Sequence, residues 1–321
     1  MIHNHFGIGL CLLNSFILLS GLTVSQPIKA DEPGLIQEDM RDFKKSDIEF
    51  LRSHSYVPSF PLATIGVRNY TSFELEGDGV TQASFELEQL YLSAGLPILM
   101  DKKDALAIGG YLSHNYFSSK DAKYPSFHVN SVGIPLAWLR QVNPNWQTAA
   151  FVMPMANKSS LDNSDWSWQT LGGLFGRYVQ SETLWWAFGF YLDVGGSENT
   201  YLPYLGASWE VNEHWSINAM LPWPSVLYAP DDNWLFTLGA SPSGTSWEID
   251  NKSGEANINF DAWDFGLTLE RRIVNNVWIS LNGGLGGIRG LRVSGSQIHG
   301  IDTQVSSSGY IGLNLNYRPE L

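Results

Sequence analysis

Histidine is the side chain that most readily moves a proton or holds a metal near neutral pH, and five follow residue 30: His54, His114, His128, His214 and His299. They are scattered. The 321 residues contain no His-Glu-x-x-His pair and no Gly-x-Ser-x-Gly elbow, the spacings that zinc hydrolysis and serine hydrolysis need. His114 with Asn115 and Ser118 is the nearest approach to a lipase-like cluster, and without a surrounding motif it reads as a surface histidine. Asp231-Asp232 has the composition of an aspartate dyad, but it stands beside Pro230, where turn chemistry is explanation enough. Gly283-Gly284-Leu285-Gly286-Gly287 is no nucleotide loop, since no helix follows and Arg289 occupies the place of the last glycine in Gly-x-Gly-x-x-Gly. The single cysteine, Cys11, excludes a disulfide framework and a cysteine-based metal site. These residues predict no catalytic centre, no metal and no cofactor, and the chain is expected not to be an enzyme.

Six charges remain as candidates: Arg68, Asp193, Glu210, Asp264, Glu270 and Arg272. Each falls on the small, polar face of a segment whose other face is bulky and apolar. Between 184 and 194, Leu184, Trp186, Phe188, Phe190, Leu192 and Val194 alternate with Ala187, Gly189, Tyr191 and Asp193. Such a period of two is the mark of a strand. The same asymmetry recurs where Val132, Ile134, Leu136 and Trp138 oppose Ser131, Gly133 and Ala137, and where Trp263, Phe265, Leu267 and Leu269 oppose Asp264, Gly266, Thr268 and Glu270.

A soluble sandwich would show shorter strands with more charge on its outer faces. Charged residues here make up 16%, against roughly 25% in an average soluble domain, while aromatic residues reach 13%. Greasy faces of 10 to 14 residues fit strands that cross a bilayer at a tilt. The expected fold is therefore all-β, a transmembrane antiparallel up-and-down β-barrel with the six charges facing its lumen. There they either select solutes or form an ion-paired network that fills a narrow interior.

Strands are expected at 62–74, 83–96, 105–117, 127–141, 146–157, 168–180, 184–195, 201–211, 215–221, 225–229, 234–241, 258–273, 277–289 and 307–318. That makes fourteen; if Pro222-Trp223-Pro224 bends one element instead of joining two, the count falls to twelve. Val142-Asn143-Pro144-Asn145-Trp146, Val211-Asn212-Glu213-His214-Trp215 and Val274-Asn275-Asn276-Val277-Trp278 share Val-Asn-x-x-Trp. They read as short periplasmic turns, with the Trp in an interfacial girdle. Segments 118–126, 158–167, 242–257 and 290–306 read as outer loops. At the C-terminus Ile311, Leu313, Leu315, Tyr317 and Leu321 share one face, similar to the last strand that the barrel-assembly machinery reads, although Leu321 stands where phenylalanine is usual.

From Phe6 to Val24 the chain is almost wholly apolar and Ala30 precedes Asp31-Glu32, so 1–30 is expected to be a signal peptide. An uncleaved anchor is the other reading, because no Lys or Arg precedes Phe6. Residues 31–61 are expected to be a periplasmic extension, or alternatively a plug, and 62–321 the barrel. A net charge of −13 argues against a nucleic-acid partner.

Pro203-Tyr204-Leu205-Gly206, Trp209, the turn at Asn212, Trp215, Leu221-Pro222-Trp223-Pro224 and Tyr228 resemble a family of Gram-negative outer-membrane barrels defined only as a domain of unknown function. The resemblance covers roughly 56–318 and implies location and fold, with no catalytic residues to carry over. The expected function is a passive, porin-like pathway for small solutes. A closed barrel interacting through acidic outer loops is the alternative, and a lipid-modifying enzyme the third. The expected partners are outer-membrane lipid, the barrel-assembly machinery through the C-terminal strand, and small solutes.

Overall fold

A computed structural model describes residues 41–42, 45–48, 55–77, 80–122, 124–161, 165–195, 199–243, 245–251, 254–295 and 301–318. The signal peptide read at 1–30, Cys11, His54, His299 and most of 31–61 lie outside the described residues.

Strand segments run in the order β1 (Ala63–Gly77), β2 (Val80–Met100), β3 (Asp104–Ser119), β4 (Phe127–Gly133), β5 (Leu136–Gln141), β6 (Trp146–Ser159), β7 (Ser167–Val179), β8 (Leu184–Val194) and β9 (Thr200–Glu210). They continue with β10 (Trp215–Leu221), β11 (Ser225–Asp231), β12 (Trp234–Pro242), β13 (Thr245–Asn251), β14 (Gly254–Val274), β15 (Val277–Gly295), β16 (Ile301–Val305) and β17 (Ser308–Tyr317). Three pairs of segments each continue one strand along shared neighbours. β4 and β5 both lie between β3 and β6, β12 and β13 both pair with β14, and β16 and β17 both bridge β15 and β1. The result is fourteen antiparallel strands, closed by β1 on β17 from Ala63↔Tyr317 to Tyr70↔Tyr310.

Two proline sites test that closure. Around Pro222-Trp223-Pro224 the chain makes a hairpin, with Asn218 opposite Ser225, so β10 and β11 are separate strands and the count is not twelve. Pro135 separates β4 from β5 without shifting register, since Tyr111↔Gly133 and Ile108↔Leu136 lie on one ladder. Glycine makes that possible: a Cβ on Gly109 would lie 2.3 Å from the Ala94 carbonyl oxygen and 2.9 Å from the Pro135 ring. Two expected outer loops are corrected. Residues 245–251 pair with 254–260, and β15 runs on to Gly295 against β16, because polar sequence continues a backbone ladder wherever its partner does.

Alternation sets the two faces. Leu106, Ile108 and Leu112 on β3, Phe188 and Phe190 on β8, Leu267 on β14, Leu281 on β15 and Ile311, Leu313 and Leu315 on β17 are all exposed on the outer surface. Their neighbours Asn115, Ala187, Asp264, Ser280 and Asn316 are buried. With every ladder hydrogen-bonded and the outer face apolar, this is the form in which strands cross a bilayer.

The shared Val-Asn-x-x-Trp sequence does not make one turn. In two cases the asparagine Oδ1 accepts from two backbone N–H groups, Asn145 and Trp146 at 3.0 Å for Asn143, and His214 and Trp215 at 2.9 Å for Asn212. Trp146 and Trp215 then point outward, 41% and 43% exposed. In the third, Val274 pairs with Val277 across a two-residue turn in which Asn275 takes φ +45°, preceded by a bulge. The strand starts on the opposite parity and Trp278 turns inward, 3% exposed. The girdle reading therefore fails for Trp278.

At the short-turn end, the Asp47 N–H donates to the Lys102 carbonyl at 2.8 Å, beside the fully buried Ile48. Tyr56 N–H donates to the Glu213 carbonyl at 2.8 Å, and its ring stacks on His214 at 5.2 Å. Those two turns lie six strands apart one way around the barrel and eight the other. Residues 47 and 56 are thus held on nearly opposite sides of that mouth.

Leu281 is 48% exposed, a position where a charge would be harmless in water. In lipid, Leu281→Arg is expected to destabilise the folded barrel by about 2–4 kcal/mol, measured by urea unfolding in liposomes. A change within 0.5 kcal/mol would show that this face does not meet hydrocarbon.

Candidate functional site

Closure brings into one lumen side chains that are far apart in sequence. Arg68 on β1 and Asp264 on β14 are separated by β17 and β15 in the wall, and their side chains meet across the interior. Arg68 Nη1 donates to Asp264 Oδ2 at 3.2 Å and to Tyr70 Oη at 3.3 Å, and the Tyr70 hydroxyl donates to the same carboxylate oxygen at 2.5 Å. The guanidinium lies 5.1 Å from the Tyr310 ring centre, within cation–π range. Asp264 is 1% exposed and Arg68 23%, so one partner is dry and the other faces open lumen. Glycine gives Tyr310 its place: a Cβ on Gly266 would sit 2.1 Å from the Tyr310 hydroxyl.

Glu270 forms a second pair lower in the lumen, with Arg318. The Arg318 Nη2 group reaches both carboxylate oxygens, at 3.0 and 2.9 Å, while Asn316 Nδ2 donates to Oε2 at 3.1 Å. The other arm of Arg318 donates to the Ser59 carbonyl, and so joins the segment before β1 to the wall. Asp193 is in a third group, where Gln169 Nε2 donates to its oxygens at 2.6 and 2.7 Å and Asn157 Nδ2 donates to Gln169 Oε1 at 2.9 Å. Glu210 ends β9 at the short-turn side, half-buried, its N–H bonded to the Thr183 carbonyl at 2.8 Å. Arg272 folds onto its own turn and donates from Nε to the Asn275 carbonyl.

Of the six charges read from sequence, the structure joins Arg68 to Asp264 and gives Glu270, Asp193, Glu210 and Arg272 different surroundings. Sequence reasoning left out Tyr70, Tyr310, Gln169 and Arg318. Parity carries a signal for all of them: Tyr70 shares a face with Arg68, and Arg318 continues the face of Asn314 and Asn316.

Among the described residues, three adjoining cavities bear on the candidate site. One of about 280 Å³ is lined by polar groups including Arg68, Gln89, Asn115, Gln169 and Asp193. Another of about 400 Å³ is also polar, bounded by Arg68, Thr64, Asp264, Glu270 and Asn282. The third, of about 370 Å³, is apolar, with Ala107, Ala137, Leu139 and Met153 in its wall. Tyr111 lines the first and third, Arg68 the first and second, Pro61 the second and third. Toward the long-loop end Tyr70, Phe73, Phe85, Leu87 and Phe117 pack into an aromatic cluster. Toward the short-turn end Ala229, Leu235 and Trp278 pack with Val57.

Among the described residues no group of three or more His, Asp, Glu or Cys is placed to hold a metal. His114 shares a hydrogen bond with Asn130 Oδ1 at 2.7 Å, and its ring lies 5.1 Å from that of His128.

Removing one half of a buried pair leaves an uncompensated charge, which costs about 3–5 kcal/mol. Asp264→Ala is expected to lower stability in liposomes by that amount, and the combined Arg68→Met/Asp264→Leu change to recover most of it. Equal losses in the single and combined variants would show that the pair is not coupled.

No protein-family model matches the chain, and no curated protein matches it significantly. Solved structures similar to it include a monoaromatic hydrocarbon channel, the TodX deltaS2 mutant, at 10% identity with TM-score 0.41, covering 81% of this chain and 93% of that one. A Pseudomonas aeruginosa FadL homologue is similar at 11% identity and TM-score 0.41, with 86% and 98% covered. The COG4313 outer membrane channel from Pseudomonas putida F1 is similar at 12% identity and TM-score 0.43, with 83% and 98% covered.

Proposed function

We propose that the protein is a passive channel for small solutes in an outer membrane. The observation that carries this reading is the run of three adjoining cavities inside a closed barrel. An eight-stranded barrel is about filled by its own side chains and a wider one leaves room inside; here Arg68 stands between two polar cavities and is itself partly exposed. Fixed charges lining a water-filled path set which ions pass. Export through a signal peptide at 1–30, in a Gram-negative cell, belongs to the same reading. So does delivery to the barrel-assembly machinery through β17, with Ile311, Leu313 and Leu315 turned to lipid.

The second reading, a closed barrel acting as a structural or interaction protein, is favoured by the aromatic cluster at the long-loop end and by Val57 packed at the other. Conductance separates the two. Purified protein in planar lipid bilayers is expected to show discrete open states, and Arg68→Ala is expected to raise conductance and weaken any preference for anions, since it removes the positive side chain that borders both polar cavities. Bilayers that hold inserted protein and never open overturn the channel and leave the closed barrel.

A further inference from the structure

We infer that the apolar cavity of about 370 Å³ in the short-turn half of the lumen is a binding site for an uncharged, apolar molecule of one or two rings. As the solute class of the passage this rests on the channel reading above; as a site it stands on its own geometry.

The cavity exists because of a run of small inward residues. β3 places Ala105, Ala107 and Gly109 in succession on its inner face, and Ala105↔Leu139 and Ala107↔Ala137 put β5 opposite with little bulk. Elsewhere in the lumen inward positions carry Tyr91, Tyr191, Tyr204 or Trp278, which fill it. Met153 from β6 and Met100 from the end of β2 add adaptable apolar walls. Phe60, Pro61 and Leu62, just before β1, line the cavity as well.

The lining selects by what it lacks. Among the described residues no charged side chain lines the space, and the side-chain hydroxyls that do are those of Ser93 and Tyr111. An ion or sugar entering would give up water without replacement partners, which is strongly unfavourable. Water is poorly held there too, for it needs about two to four polar partners. Apolar matter is the remaining occupant. The volume exceeds the roughly 150 Å³ of an apolar cavity that stays dry and takes benzene, so one or two fused rings fit. Tyr111, shared with the polar cavity above, marks where such a molecule would leave the apolar space for the polar one.

Methionine methyl NMR of the full mature chain in nanodiscs tests the site, with naphthalene as probe and naphthalene-2-sulfonate as its charged counterpart. Naphthalene is expected to shift the Met100 and Met153 methyls saturably and to leave Met220, which contacts Tyr204 instead, in place. Ala107→Phe fills the cavity and is expected to weaken the effect tenfold or more; should that variant misfold, Ala137→Leu is the milder filling change. Equal movement of Met220, which is buried on the inner face, means unspecific entry into the lumen and overturns the site, as does an equal response to the sulfonate. Loss of the naphthalene response when lipid acyl chains are already seen against Met153 assigns the space to lipid and overturns it too. Conductance is read in parallel: open channels with unmoved methyls sink the site alone, while a saturable response in protein that never opens keeps the site and sinks the passage.

Discussion

Eight residue pairs between β1 and β17, from Ala63↔Tyr317 to Tyr70↔Tyr310, carry the structure. Without them the sheet would have two open edges, and an unpaired backbone edge cannot lie in hydrocarbon. With them every strand has two neighbours, and the wall acquires an inside. Which residues occupy that inside then follows from parity between bulges, because a shift of one residue moves every side chain to the other face, as the bulge between Tyr70 and Phe73 does when it turns both inward. The ion pair between Arg68 and Asp264 depends on this closure, since the two strands are not neighbours and meet only across the enclosed space.

Much of this was legible from residue order. The alternation of Leu184 to Val194 and of Trp263 to Glu270 identifies strands, and the same bulky-against-small asymmetry in many segments identifies a barrel. Prolines left the count open between fourteen and twelve, and only pairing across Asn218↔Ser225 shows a hairpin. Trp278 illustrates the limit more sharply. Its local sequence matches that of Trp146 and Trp215, yet a turn shorter in the backbone reverses its face. Motifs report residue types, whereas facing depends on a count of residues through the turn. The continuation of the ladder through β13 and the far end of β15 was hidden for a related reason: backbone pairing there goes on without an alternating apolar face in the sequence.

The lumen was legible as a set of inward residues but not as a set of contacts. Parity places Arg68, Asp193, Asp264 and Glu270 inside, and cannot say which of them meet. Pairing requires the circumference and the tilt of the strands, quantities that belong to the whole barrel. Glu270 finds Arg318 because β14 and β17 flank β15, and Asp193 finds Gln169 on the adjacent β7. The apolar cavity is harder still to foresee, being defined by bulk that is missing. Its trace in the sequence is the alternation Ala105, Ala107, Gly109, three small inward residues in a row where other strands carry rings.

In the proposed channel, structure and passage are not alternatives at Arg68. A buried carboxylate must be neutralised and hydrogen-bonded, and Asp264, 1% exposed, receives both the guanidinium and the Tyr70 hydroxyl. That demand fixes one end of Arg68. The rest of the group, more than twenty times as exposed, borders two polar cavities. An arginine held rigidly at one end and wetted along the other keeps its charge at a fixed place beside the open space, which a freely moving side chain would not do. In the proposed channel, the anchoring that stabilises the wall is therefore the condition under which that charge acts on a solute.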